Sequence, residues 1–155
     1  MALALYLCVP LIAQQIQLPK GILKKKPHVT FLADDQTVTA GRATTLALHF
    51  TIEPGFHINS HTPRALTLIP TKLAVQDDNT FTVKSVDFPR GHDYAFAASP
   101  NDKLDVYTGD FVLTAHLTAK RGPHTLKGLL HYQACDTASC YPPSTLPVEL
   151  HFTAR

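Results

Sequence analysis

The sequence predicts an all-β chain folded as an immunoglobulin-like antiparallel β-sandwich. Three observations carry that prediction. Apolar and polar residues alternate with period 2 in four clear stretches. No segment has the apolar spacing of a helix, which repeats about every 3.6 residues. Turn residues recur between the stretches, spaced as in all-β sandwiches and barrels at roughly 8–12 residues.

The elements follow in order. Residues 1–13, MALALYLCVPLIA, are almost wholly apolar. A bilayer span needs about 20 such residues, so this stretch reads instead as a signal peptide, although no Lys or Arg precedes its apolar run. Cleavage before Gln14 removes Cys8 and leaves an even pair of cysteines. The product is expected to be exported to the periplasm or beyond and to be soluble. Residues 14–27, QQIQLPKGILKKKP, read as a linker or loose first strand, and residues 28–155 as the folded domain.

Within that domain, Leu46, Leu48, Phe50 and Ile52 share one face of a strand, with Ala47, His49 and Thr51 on the other. Phe111, Leu113, Ala115 and Leu117 make a second apolar face. Leu126, Gly128, Leu130, Tyr132 and Ala134 make a third, and Leu146, Val148, Leu150 and Phe152 a fourth. Weaker candidates are His28–Leu32, Ala65–Ile69, Leu73–Val75 and Phe81–Val86. Asp34-Asp35, Glu53-Pro54-Gly55, Asp77-Asp78-Asn79 and Arg121-Gly122-Pro123 supply turns. Roughly seven to nine strands result, enough for a sandwich. The chain has no Trp and lacks the usual inter-sheet cysteine pair, so a barrel is the alternative. The segment Gly91–Lys103, GHDYAFAASPNDK, is expected to be a long loop carrying Tyr94 and Phe96.

Composition narrows the function. The 155 residues are 45% hydrophobic and 17% charged, with a net charge of +2 when histidines are neutral. That excludes a disordered tail. The one basic cluster, Lys24-Lys25-Lys26, has no interleaved aromatics, so nucleic acid is not an expected partner. No Gly-rich phosphate loop, nucleophile elbow or paired-carboxylate motif occurs, and no cofactor is expected.

The chemistry concentrates in Tyr132–Pro143, YQACDTASCYPP, where Cys135 and Cys140 are separated by four residues. Three readings stand on the residues. As a structural staple the bond closes so short a loop that it stabilises by only about 2 kcal/mol. As half of a metal site it needs His57 and His61 of HINSH. The neighbouring Pro54, Gly55 and Pro63 oppose a helix, and an extended chain holds those rings about 13 Å apart, so no metal is expected. As an exchange site it has two adjacent cysteines at a strand end, reachable by a partner. Asp136 disfavours a Cys135 thiolate, while a protonated His131, four residues back on the strand face, favours it. The attacking thiol stays open. His49, His116, His131 and His151 are expected to face outward, and His57 and Asn59 to make fold-stabilising hydrogen bonds. Tyr132 and Tyr141 either pack on the disulfide or contact a partner.

YQACDTASCYPP resembles the active-site segment of the N-terminal periplasmic domain of the disulfide-bond reductase DsbD family, with its Tyr-Gln-x-Cys opening and Cys-x-Pro-Pro close. PGFHINSHTP (Pro54–Pro63) is similar to a second segment of that family. The resemblance runs from about Pro27 to the C-terminus. It implies an immunoglobulin-like fold and thiol–disulfide exchange through Cys135 and Cys140. It also implies a thioredoxin-like electron donor and periplasmic disulfide proteins as acceptors. A cap loop bearing an aromatic shields the bond in that family; by position this is Gly91–Lys103, with Phe96 or Tyr94 as the shield. The best-known member has five residues between its cysteines. This chain carries neither the membrane-embedded nor the thioredoxin-like domain, so electrons are expected from separate proteins, including a membrane conduit. A non-catalytic β-sandwich binding module with a structural disulfide is the alternative.

Overall fold

A computed structural model of the protein describes residues 27–76, 78–96 and 99–155. The expected signal peptide, Cys8 and all of the expected linker except Pro27 lie outside the described residues. Among the described residues there are twelve strands and no helix, hence no helix long and apolar enough to cross a membrane.

Three four-stranded sheets form. The first runs β1 (Val29–Leu32), β3 (Thr44–Ile52), β9 (Asp110–Ala119), β6 (Phe81–Asp87). The second runs β2 (Gln36–Val38), β12 (Ser144–Ala154), β10 (Gly122–Tyr132), β5 (Lys72–Val75). The third runs β11 (Ala134–Cys135), β4 (His57–Asn59), β8 (Ser99–Tyr107), β7 (His92–Phe96). Pairing is antiparallel except between β2 and β12.

The four alternating faces read from the sequence become the core of an immunoglobulin-like sandwich. Leu46, Leu48, Leu113 and Ala115 of the first sheet are fully buried, as are Leu126, Leu130 and Leu150 of the second. Phe81 meets Phe152 edge-on at 5.4 Å between these two sheets. Tyr107 stacks on Phe111 at 5.2 Å and joins the third sheet to the first. Gly128 is required where β5 crosses close to β10, because a Cβ there would come within 2.7 Å of the Ala74 carbonyl oxygen.

Two expectations are corrected. Ala65–Ile69 is not a strand: Pro63 and Pro70 bracket it, and Leu68 N–H closes a turn onto the Ala65 carbonyl at 3.1 Å. Gly91–Lys103 is not a long loop, because β7 and the first half of β8 pair across it. The ladder shifts register between Ala95 and Phe96, and Pro100 falls in that irregular part, where a strand tolerates a missing N–H.

Candidate functional site

Two pieces of backbone position the site. Pro54 and Gly55 occupy the centre of a tight turn closed by Phe56 N–H on the Glu53 carbonyl at 3.0 Å, and Gly55 takes a φ of 86° that suits glycine. That turn delivers β4. On the facing side β10 and β12 run side by side to the pair Tyr132–Ser144, and the chain between them forms the hairpin end. The ladder breaks at Gln133, after which Ala134 and Cys135 pair with Ile58 and His57.

Cys135 and Cys140 form a disulfide, with sulfurs 2.03 Å apart and Cα atoms 3.9 Å apart. The two ends differ in exposure. Cys135 is 0% exposed, whereas Cys140 lies on the surface. The intervening turn holds itself together independently of the sulfurs. The Asp136 carboxylate accepts from the N–H groups of Ala138 at 2.7 Å and Ser139 at 2.8 Å, and Asp136 N–H donates to the Ser139 carbonyl at 2.9 Å. Tyr141 N–H donates to the Ala134 carbonyl at 2.8 Å. These turn hydrogen bonds, first that from Ala138 and next that from the Tyr141 hydroxyl, hold the Asp136 carboxyl below its ordinary range.

The two tyrosines differ in burial. Tyr132 is a buried core residue, and that burial pushes its phenol up. Tyr141 is half-buried beside the disulfide; its hydroxyl donates to Asp136 at 2.8 Å, and its ring lies 5.8 Å from that of Phe56 and 5.2 Å from that of His28. His28 stacks on Phe56 at 3.9 Å and meets Glu53 at 2.9 Å through Nδ1. His28 and Phe56 escape the sequence reading; the only signal was the Pro-Gly-aromatic opening of PGFHINSHTP.

On the other side of Cys135 lies a polar row. His57 is opposite Cys135 in register, and Asn59, two residues on, shares its face. Both are buried although Ile58, between them, is the residue that faces the core. Asn59 donates to the Ile69 carbonyl at 3.0 Å and to Gln133 Oε1 at 3.4 Å, which fits its expected role. Its Oδ1 is buried and accepts no hydrogen bond among the described residues, a state that costs about 1–3 kcal/mol. Burial pushes the His57 imidazole below its ordinary value, aided by His92 and opposed by Asp136. Tyr94 lies tilted against His57, with 4.1 Å between ring centres. The side chain of Phe96 lies outside the described residues. Arg64 pairs with Asp93, and Lys103 reaches the same carboxylate at 3.1 Å, tying β7 to the β4–β5 connection.

The remaining histidines settle as follows. His131 and His151 are exposed, while His49 and His116 are partly exposed, all alternating with buried neighbours as the strand pattern required. His131 does not share the surroundings of Cys135, because the break at Gln133 interrupts the strand between them; the imidazole across the ladder is that of His57. His61 does not converge with His57 on the cysteines: its Nδ1 meets the Thr71 carbonyl at 2.9 Å and its ring stacks on Phe88 at 4.0 Å. Among the described residues no cluster suited to a metal ion occurs.

Fold and site together define an immunoglobulin-like domain with a hairpin-end disulfide that joins a buried cysteine to an exposed one. The pattern of the family described as thiol:disulfide interchange protein DsbD, N-terminal, matches residues 28–151, and the chain belongs to that family. Among solved structures it is similar to the N-terminal periplasmic domain of ScsB from Proteus mirabilis, with 14% identity and a TM-score of 0.52 over 79% of this chain. The chain spans 44% of that ScsB chain. It is also similar to the DsbD N-terminal domain of Neisseria meningitidis in the reduced form, with 17% identity and a TM-score of 0.42 over 70% of this chain and 77% of that one. No curated protein matches.

Proposed function

We propose that this is an exported thiol–disulfide exchange domain that relays reducing equivalents through Cys135 and Cys140. The observation that carries the reading is the difference between the two cysteines in a chain of this family: Cys140 is exposed at the hairpin end and Cys135 is buried. A donor thiolate attacks the Cys140 sulfur, which is the one within reach. The Cys135–Cys140 bond breaks, its electron pair leaves on Cys135, and a mixed disulfide joins the donor to Cys140. A second donor thiol attacks the donor's own sulfur in that bond and frees Cys140. In the reverse sense, Cys140 attacks an acceptor disulfide and Cys135 closes back onto Cys140, releasing the acceptor reduced.

The donor is a thioredoxin-like protein supplied by a membrane electron conduit, and the acceptors are periplasmic disulfide proteins. Tyr94 and Phe96 belong to the cap over the site, carried on a β-hairpin rather than a loop. Tyr141 sits where a partner meets Cys140. Residues 28–155 are the exchange domain, preceded by a signal peptide over 1–13 and a linker over 14–27.

Trapping tests the reading. Cys135→Ala leaves the exposed sulfur without its resolving partner and is expected to accumulate a mixed disulfide with a thioredoxin-like donor. Cys140→Ala is expected to accumulate little. If neither variant traps a donor, the disulfide is a permanent clip on a binding module.

A further inference from the structure

Opening the disulfide creates a problem at Cys135. A thiolate there has no water around it, and burial in such a setting favours the protonated thiol. The protonated thiol does not attack. A buried resolving cysteine therefore needs a neighbouring group that takes its proton when it attacks and returns one when it leaves.

The ladder supplies one such neighbour. His57 stands directly opposite Cys135 in the β11–β4 register, and opposite residues of an antiparallel pair project to the same side with Cβ atoms about 4.5–5.5 Å apart. Both side chains are buried, at 1% and 0% exposure. We infer that His57 is the proton carrier for Cys135, accepting its thiol proton as that sulfur attacks Cys140 and donating one as Cys135 departs. This rests on the exchange reading above.

The surroundings of the ring suit both directions. Its titratable neighbours among the described residues include Cys135 on β11, Asp136 in the following turn, and His92 and Tyr94 on β7; β8 presents apolar Val106 and Leu104 to this face. Burial keeps the imidazole neutral, and so able to accept a proton, at neutral pH, while the Asp136 charge favours the imidazolium formed on accepting it. The steps balance. When Cys140 carries a mixed disulfide, His57 takes the Cys135 proton, the Cys135 thiolate attacks the Cys140 sulfur, and the partner leaves as a thiolate. When a donor thiolate attacks Cys140, His57 first takes up a proton from solvent, its charge favoured by Asp136; the Cys135 thiolate then leaves, takes that proton and returns the ring to neutral. Tyr94, tilted against the ring, helps hold it in place.

A two-phase reaction of the reduced protein with an aromatic disulfide, 5,5′-dithiobis(2-nitrobenzoate), isolates the step. The first release of chromophore reports attack by Cys140 and the second reports closure by Cys135. His57→Gln and His57→Phe are compared with wild type, the second variant keeping a buried ring under Tyr94. Both are expected to leave the first phase unchanged and to slow the second about 10²-fold at neutral pH, the low end for positioned proton transfer. In wild type the second phase is expected to level off above about pH 6.5, where a neutral imidazole is already available. Two results would overturn the proton role alone: a wild-type second phase that rises roughly tenfold per pH unit toward the ordinary thiol range, or His57→Phe closing as fast as wild type. The absence of any second phase in wild type would instead overturn the exchange reading, and the proton role with it.

Discussion

Reduction of Cys135–Cys140 is expected to leave the domain folded and only modestly less stable. The bond closes a loop with a sequence separation of 5, for which the loop-entropy relation gives about 2 kcal/mol. Even that is an upper value here. The Asp136 turn, the bond from Tyr141 N–H to Ala134 and the β11–β4 ladder hold the two cysteines near each other without the sulfurs. Most of the buried core lies in other strands, and the contributions of Ile58 and Ala134 do not depend on the sulfurs. Urea unfolding of the oxidised and reduced forms measures the difference. The expected result is a loss of no more than about 2 kcal/mol, or ~5–10 °C in Tm, with an unchanged denaturant slope. A loss above about 4 kcal/mol, or a non-cooperative reduced state, would refute the reasoning and mark the bond as a staple.

Other perturbations separate the parts of the account. Leu113 is fully buried and pairs with Leu48 at the centre of the first sheet, so Leu113→Ala is expected to lower stability by about 2–5 kcal/mol in urea unfolding. Arg64→Ala removes one of the two cations on Asp93; hydrogen exchange is expected to quicken in His92–Phe96 while the global unfolding midpoint stays put. Acid sensitivity follows from His57. Its folded value is depressed from 6.5, so the unfolded chain takes up the proton first, and stability is full above that value and declines as pH falls below it. Asp136, held below its ordinary 3.8, adds a further loss only as pH falls through the carboxylate range. Unfolding midpoints between about pH 8 and pH 5 are expected to fall for wild type and to fall less for His57→Gln.

The long strands were legible because nine to eleven residues display a period of two several times over, as in Thr44–Ile52 and Gly122–Tyr132. The missed strands β2, β4 and β11 have two or three residues each and cannot show a period at all. Their pairing comes from partners distant in sequence, as when Cys135 meets His57. The β7–β8 hairpin was hidden by Pro100, Asn101 and Asp102, residues that disfavour strands and here occupy an irregular stretch of the ladder. Ala65–Ile69 is apolar enough to suggest a strand, yet Leu66 is fully exposed in the turn the prolines enclose. At the site, the cysteine pair could be read from spacing and motif. Which sulfur is buried could not, because that depends on how β11 docks against β4.

The reduction potential of the Cys135–Cys140 bond distinguishes an exchange site from a permanent clip. Equilibration of the folded protein with thiol–disulfide buffers of graded potential, followed by quantification of free thiols, gives the value. An exchange site is expected to titrate at a potential less negative than about −300 mV, within reach of thioredoxin-family proteins. A bond that stays oxidised in the folded protein at potentials below about −300 mV would contradict the account.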